Sequence, residues 1–188
     1  MSQAAKHGGV AFFFLVVFSV WLCLPSAAQT KPIELSLDEV KTLTAEWRGS
    51  QGDLDHEAVR DLAKVRRNAE VKVFFGTWCS DSEREVSRLL KILSDLETPP
   101  FSVRFFQVEK DKKDPAKLQA PDDIAFLPTF VVTRKGREVG RIVERSPRSL
   151  ETDLRLLLDG RTEGLISGSE PVIWHYLSGE DAAERNPG

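Results

Sequence analysis

A single cysteine, with a tryptophan before it and a serine three positions after it, is the group in this sequence best suited to chemistry. Trp78, Cys79 and Ser82 lie in the run TWCSDS. A cysteine thiolate is a nucleophile that attacks disulfides in thiol–disulfide exchange. The other cysteine, Cys23, lies in an apolar N-terminal segment. If that segment is removed, Cys79 has no partner within the chain, so it is either buried and inert or free to react with another molecule.

Cys79 lies between a predicted strand and a predicted helix. The apolar run VKVFF at 71–75 is typical of a buried strand. Ser80 and Glu83 fit a capping box, which would begin a helix whose leucines then recur at helical spacing. The amide groups and dipole at a helix start favour a thiolate, whereas the neighbouring carboxylate of Asp81 opposes it.

Further elements are predicted on both sides of this unit. Before it come a segment at 29–35 that is either a tether or a first short strand, and then two short helices. After it come a strand at 101–108, a strand entered through Pro128, a hairpin turn at 134–138, a fourth strand at 138–144 and a final helix from Ser146 to Gly160. The charged segment 109–123 is predicted to be a loop with one helical turn around 116–119. This order predicts an α/β fold in which a mixed sheet of about four strands has helices on both faces.

The first 28 residues have the pattern of a secretory signal peptide. Lys6 provides a positive start, residues 10–24 are almost wholly apolar, and small residues end at Ala28. Because the apolar run is short against the roughly 20 residues of a membrane span, we expect an exported protein. The alternative is an uncleaved anchor, in which case the chain would meet a membrane only through this segment.

Composition and the remaining motifs narrow the expected partners. The chain has a net charge of −3 and no basic face, which argues against nucleic acid as a partner. His56 and His175 show no ligand spacing, so we predict neither a metal site nor a cofactor. Residues 29–188 are enough for one domain, and we expect a monomer.

The motifs together resemble the thioredoxin superfamily. The resemblance rests on the strand, on WCSDS at a helix start, and on Leu127, Pro128 and Thr129 leading into a strand and a glycine hairpin. It implies a thioredoxin-like three-layer sandwich. We therefore divide the chain into a signal peptide, an N-terminal extension with one helix, a thioredoxin-like domain and a C-terminal tail, at 1–28, 29–54, 55–160 and 161–188.

The resemblance also implies roles for individual residues. Cys79 would be the attacking thiolate and Trp78 its shield, while Pro128 would be cis and Leu127 would present the backbone that pairs with a bound peptide. Ser82 replaces the second cysteine of the family, and its hydroxyl can donate to the thiolate.

The missing second cysteine, together with Val73 at the position of the family's buried acid, points to monothiol exchange. The substrates would be protein or small-molecule thiols and disulfides, and an external thiol would complete the cycle. The alternative is a non-catalytic peptide- or protein-binding module of the same fold, in which Cys79 packs as a small hydrophobe.

Overall fold

The computed structural model describes residues 31–48, 52–65, 68–112, 117–121 and 123–178. The predicted signal peptide and the last ten residues of the predicted tail lie outside these ranges. Among the described helices, none combines the length and the apolar character that crossing a bilayer requires.

Five helices and six strands are described. The helices are α1 (Leu37–Leu43), α2 (His56–Leu62), α3 (Ser80–Leu96), α4 (Leu150–Asp159) and α5 (Glu170–Ser178). The strands are β1 (Ile33–Leu35), β2 (Ala69–Phe75), β3 (Ser102–Gln107), β4 (Thr129–Arg134), β5 (Arg137–Val143) and β6 (Gly164–Ile166). They form one mixed sheet in the order β1-β3-β2-β4-β5-β6, with β2 parallel to β3 and antiparallel to β4.

The sheet has six strands, so the prediction of about four was wrong. β1 pairs antiparallel with β3, and β6 pairs parallel with β5. Both edge strands are three residues long, too short to show the alternation by which a strand is recognised in a sequence. They come from the predicted N-terminal extension and C-terminal tail, so both of these segments contribute to the sheet.

Successive side chains of β2 lie on opposite faces of the sheet, and the buried residues accordingly form two clusters. Val71, Val73 and Phe75 belong to a main cluster, to which α1, α2, α3 and α4 all contribute buried residues. Phe74 faces the other way and stacks on Phe106, with ring centroids 5.0 Å apart. The buried members of this second cluster are Phe74, Val108, Ile124, Leu127 and Val131.

Much of the cover on the second face is not helical, which differs from the predicted sandwich. Three of the five buried members of the second cluster come from the segment between β3 and β4. In the described part of that segment Lys110 and Leu118 form an antiparallel bridge, so residues 117–119 do not form the helical turn predicted around 116–119, and residue 116 lies outside the described residues.

The ends of α4 show one wrong and one confirmed prediction. The helix is capped by Ser149, whose Oγ accepts a hydrogen bond from the Thr152 amide at 3.3 Å, and not by Ser146. Gly160 ends the helix in the left-handed conformation, at φ 72°, as predicted. Gly136 likewise has a positive φ, 77°, in the predicted hairpin turn.

A buried ion pair joins α3 to α4. Arg88 donates to both carboxylate oxygens of Glu151, at 2.8 and 2.7 Å, and the Glu151 side chain has no exposed surface. The Asp55 amide, just before α2, donates to the same carboxylate at 2.7 Å. Burial acts to raise the pKa of Glu151, but the hydrogen bonds from Arg88 and Asp55 outweigh it, so the pKa lies below its ordinary value. The pair thus ties together three helices, including the one that begins beside Cys79.

We expect Glu151→Gln to lower the free energy of unfolding by about 3 kcal/mol at pH 7, because it leaves the Arg88 guanidinium without its buried counter-charge. Urea denaturation would measure this. Glu163→Gln is the control, since Glu163 is exposed, and we expect it to change stability by less than about 0.5 kcal/mol.

The stabilisation that Glu151 provides should depend on pH in a defined direction. Because the folded-state pKa of Glu151 is lowered, its stabilising effect is present above the ordinary value of 4.5 and is lost as the pH falls through the folded-state pKa. The stability difference between wild type and Glu151→Gln should therefore shrink in acid. A difference that grows below pH 4.5 would contradict the assignment.

Candidate functional site

Cys79 is the N-cap residue of α3. Its backbone is extended, with φ −103° and ψ 119°, and its side chain makes no capping hydrogen bond. The capping box predicted at Ser80 and Glu83 was wrong, because Ser80 is the first helical residue and Glu83 Oε1 accepts a hydrogen bond from the Arg48 amide at 2.8 Å. The thiol therefore lies immediately before the first turn of the helix, as the strand-to-helix pattern predicted.

The sulfur of Cys79 lies beside the residue that precedes Pro128. The thiol donates to the Leu127 carbonyl, with 3.4 Å between sulfur and oxygen. The Leu127–Pro128 peptide bond is cis, the geometry that the resemblance implied. Leu127 and Pro128 are buried and Cys79 is partly buried. The structure thus brings together three predicted site residues from two distant parts of the sequence.

Hydrogen bonds on both sides hold the Leu127–Pro128 step in place. The Glu144 amide donates to the Pro128 carbonyl at 2.8 Å. On the other side, Thr129 Oγ1 donates to the Phe126 carbonyl at 2.7 Å. The backbone that faces Cys79 is therefore anchored to β5 and closed by its own turn.

Ser82 is fully buried, and its hydroxyl accepts a hydrogen bond from the Gly76 amide at 3.2 Å. This bond joins the first turn of α3 to the residue that directly follows β2. The donation from Ser82 to the Cys79 thiolate stays a prediction. The observed partner assigns Ser82 a structural role in holding the strand–helix connection that carries Cys79.

Trp78 lies over the backbone that leads to the cysteine. Its side chain is 43% exposed, yet a Cβ added at Gly76 would come within 2.9 Å of its ring. Lys110 Nζ lies 4.3 Å from the ring centroid, which is a cation–π contact. Sequence reasoning missed Lys110, because a lysine in a charged loop carries no signal of the ring that it covers.

Arginines offset the negative charge of Asp81, two positions after Cys79. Arg84 Nη1 lies 2.6 Å from Asp81 Oδ1, and Arg145 Nη2 lies 4.0 Å from the same oxygen. Arg84 also pairs at 2.9 Å with Glu85, whose pKa is raised by burial. The negative charge of Asp81 close to Cys79 is thus partly balanced by these two arginines.

The two histidines considered as ligands make other contacts. His56 Nδ1 lies 3.8 Å from Asp95 Oδ2, and the His175 ring meets the Phe126 ring edge to face. Within the described ranges, no group of three histidine, cysteine, aspartate or glutamate side chains is placed to hold a metal ion.

Comparison with known proteins points to the same superfamily as the motifs. No family model matches the chain. A thioredoxin-like protein of Acanthamoeba polyphaga mimivirus is 28% identical over 81 residues, which cover 43% of this chain and 56% of that protein. The chain therefore spans little more than half the length of this curated relative. The match suggests the thioredoxin superfamily.

A solved structure is also similar in part. It is a crystal structure of a protein of unknown function from Pseudomonas aeruginosa, with a TM-score of 0.46 and 17% sequence identity. The alignment covers 68% of this chain and 88% of that one.

Ser82→Ala tests the structural role of the buried hydroxyl. We expect it to lower the free energy of unfolding by about 1–2 kcal/mol, because the buried Gly76 amide loses its acceptor. Ser94→Ala, at an exposed position of α3, is the matched control and should cause no loss. Equal stability of the Ser82 variant and the wild type in urea denaturation would refute this role.

Proposed function

We propose that this chain is an exported thioredoxin-like protein that carries out monothiol thiol–disulfide exchange through Cys79. One observation carries the proposal: Cys79, a partly buried residue, stands at the start of α3 with its sulfur 3.4 Å from the carbonyl before a cis proline. This arrangement gives a nucleophile and, beside it, a backbone edge on which a peptide can lie. The likeness to a thioredoxin-like protein supports the proposal, and export is proposed from the pattern of residues 1–28.

The proposed cycle has two exchange steps. The Cys79 thiolate attacks one sulfur of a substrate disulfide, forms a mixed disulfide with it and expels the other sulfur as a thiolate. An external thiolate then attacks the substrate sulfur of the mixed disulfide, which restores the Cys79 thiolate and leaves a disulfide between the external thiol and the substrate. Residues 29–188 contain no second cysteine, so release requires the external thiol.

In this scheme, substrate binding breaks the hydrogen bond between the Cys79 thiol and the Leu127 carbonyl. In the free protein the Cys79 thiol donates a hydrogen bond to the Leu127 carbonyl. A substrate amide that donates to this carbonyl would replace the thiol as its partner. The thiol would then have no hydrogen bond to Leu127 while the scissile disulfide lies next to it.

The direct test uses residues 29–188 and a mixed disulfide between glutathione and a cysteine-containing peptide. Without added thiol, mass spectrometry should detect an adduct on Cys79, and added glutathione should release it with turnover. Cys79→Ser should form no adduct and show no turnover. If the wild type forms no adduct and Cys79 resists alkylation at neutral pH, the proposal fails.

Ser82→Cys tests the claim that the resolving half of the cycle is missing. A thiol at this position lies one turn along α3, where it can attack the mixed disulfide on Cys79. We expect the variant to release the peptide without added thiol and to form a disulfide between residues 79 and 82. A folded Ser82→Cys protein that still needs an external thiol would show that Ser82 does not stand at the resolving position.

A non-catalytic binding module is the second candidate. It is favoured by the packing of Cys79 against the second cluster and by its thiol donating to a backbone carbonyl, as a small hydrophobe with a weak donor would do. Peptides that lack cysteine distinguish the two functions. Binding of such peptides with equal affinity to wild type and Cys79→Ser, without exchange, would favour the module.

A further inference from the structure

Helix α5 contacts the turn that leads to the cis proline. The His175 ring meets the Phe126 ring edge to face, with centroids 5.1 Å apart and planes at 82°. Rings in this arrangement attract one another. Phe126 directly precedes Leu127, whose carbonyl accepts a hydrogen bond from the Cys79 thiol. His175, close to the end of the described chain, thus contacts the residue that precedes Leu127.

The segment before α5 is bound to the same part of the molecule. Ser167 Oγ and the Gly168 amide donate to the carbonyls of the two residues that flank Glu144, at 2.8 and 2.7 Å. Glu144 is the residue whose amide holds the Pro128 carbonyl. The C-terminal segment therefore holds the strand end that in turn holds the proline.

Packing shows that this segment is docked closely. Val172, in the first turn of α5, has no exposed surface. A Cβ added at Gly168 would lie 3.2 Å from the Pro147 Cα. The start of α5, which leads to His175, is therefore packed against the rest of the protein.

We propose that α5 positions the Leu127–Pro128 step through the contact between His175 and Phe126, and so sets how substrate binds beside Cys79. This inference rests on the proposed exchange function. His175 is a positioning residue, since its ring acts on the site through Phe126. Without the ring, the Leu127–Pro128 step keeps the hydrogen bonds from Thr129 and Glu144 but loses its support at Phe126, so its carbonyl is aligned less closely for a bound peptide.

The test measures exchange kinetics with the peptide mixed disulfide at saturating glutathione. For His175→Ala we expect KM for the peptide to rise about fivefold while kcat stays within about twofold, because alignment of the bound peptide is what is lost. His175→Phe keeps a ring against Phe126 and should restore KM. Ile173→Ala, at a position 37% exposed on the same helix, is the control and should leave both constants unchanged.

A double-mutant cycle isolates the contact. Phe126→Leu should raise KM as His175→Ala does, and the double variant should show no further rise, because each change removes the same interaction. Additive effects would overturn the inference, as would an unchanged KM in His175→Ala or a failure of His175→Phe to restore it. If His175→Ala does not fold, the comparison of His175→Phe with Phe126→Leu still decides.

Alkylation separates failure of this inference from failure of the proposed function. The rate at which iodoacetamide modifies Cys79 depends on the surroundings of the sulfur and does not require exchange activity. We expect His175→Ala to change this rate and His175→Phe to leave it at the wild-type value. A protein without exchange whose alkylation rate follows this pattern refutes the function but supports the positioning, and identical rates in all variants overturn the positioning.

Discussion

The contact between the sulfur of Cys79 and the carbonyl of Leu127 is the interaction on which the rest of the site depends. Strand pairing brings its two sides together. β2 runs antiparallel to β4, and Phe74, near the end of β2, is paired with Thr129, the first residue of β4. The chain therefore leaves β2 toward Cys79 at the same end of the sheet where it enters β4 through Pro128. The Cys79 thiol and the backbone before the cis proline become neighbours because of this register.

The surroundings of this contact restrict how it can move. Next to it lies the second cluster, of which Leu127 is a member and against which Cys79 packs. Behind it, Ser82 bonds the first turn of α3 to Gly76, and farther along the helix Arg88 is paired with Glu151. A buried ion pair of this kind adds little net stability over apolar residues, since desolvation offsets the attraction, but it is costly to break. Its value here is the orientation it imposes on α3.

The features that could be predicted from the sequence are those encoded by residues close together in the chain. β2, α3 and the hairpin at Gly136 were predictable because an apolar run, helical leucine spacing and a permissive glycine are all local. The cis proline was predicted only through the resemblance to the thioredoxin superfamily. The cap of α3 was not predictable. Ser80 is the better capping residue by type, but the end of β2 places Cys79 at the N-cap, and Glu83 binds the distant Arg48 amide. Tertiary contacts overrode the local preference.

The same reasoning explains the residues that were missed. Lys110, Arg145 and His175 contact the site or its supports only after the chain has folded, and lysine, arginine and histidine in charged or irregular segments have no distinguishing pattern. The edge strands β1 and β6 were undercounted because three residues do not establish a period. The sequence therefore predicted that Cys79 and Pro128 lie together, whereas the charged and aromatic side chains around them could be identified only from the folded structure.

The most direct measurement is a crystal structure of the protein with a short cysteine-containing peptide joined to it by a mixed disulfide. The account predicts one disulfide bond between the peptide and Cys79, with the peptide backbone alongside Leu127 and Pro128. A peptide amide should donate to the Leu127 carbonyl, which in the free protein accepts a hydrogen bond from the thiol. A peptide bound elsewhere, or a Cys79 left unmodified with its thiol still on Leu127, would contradict it.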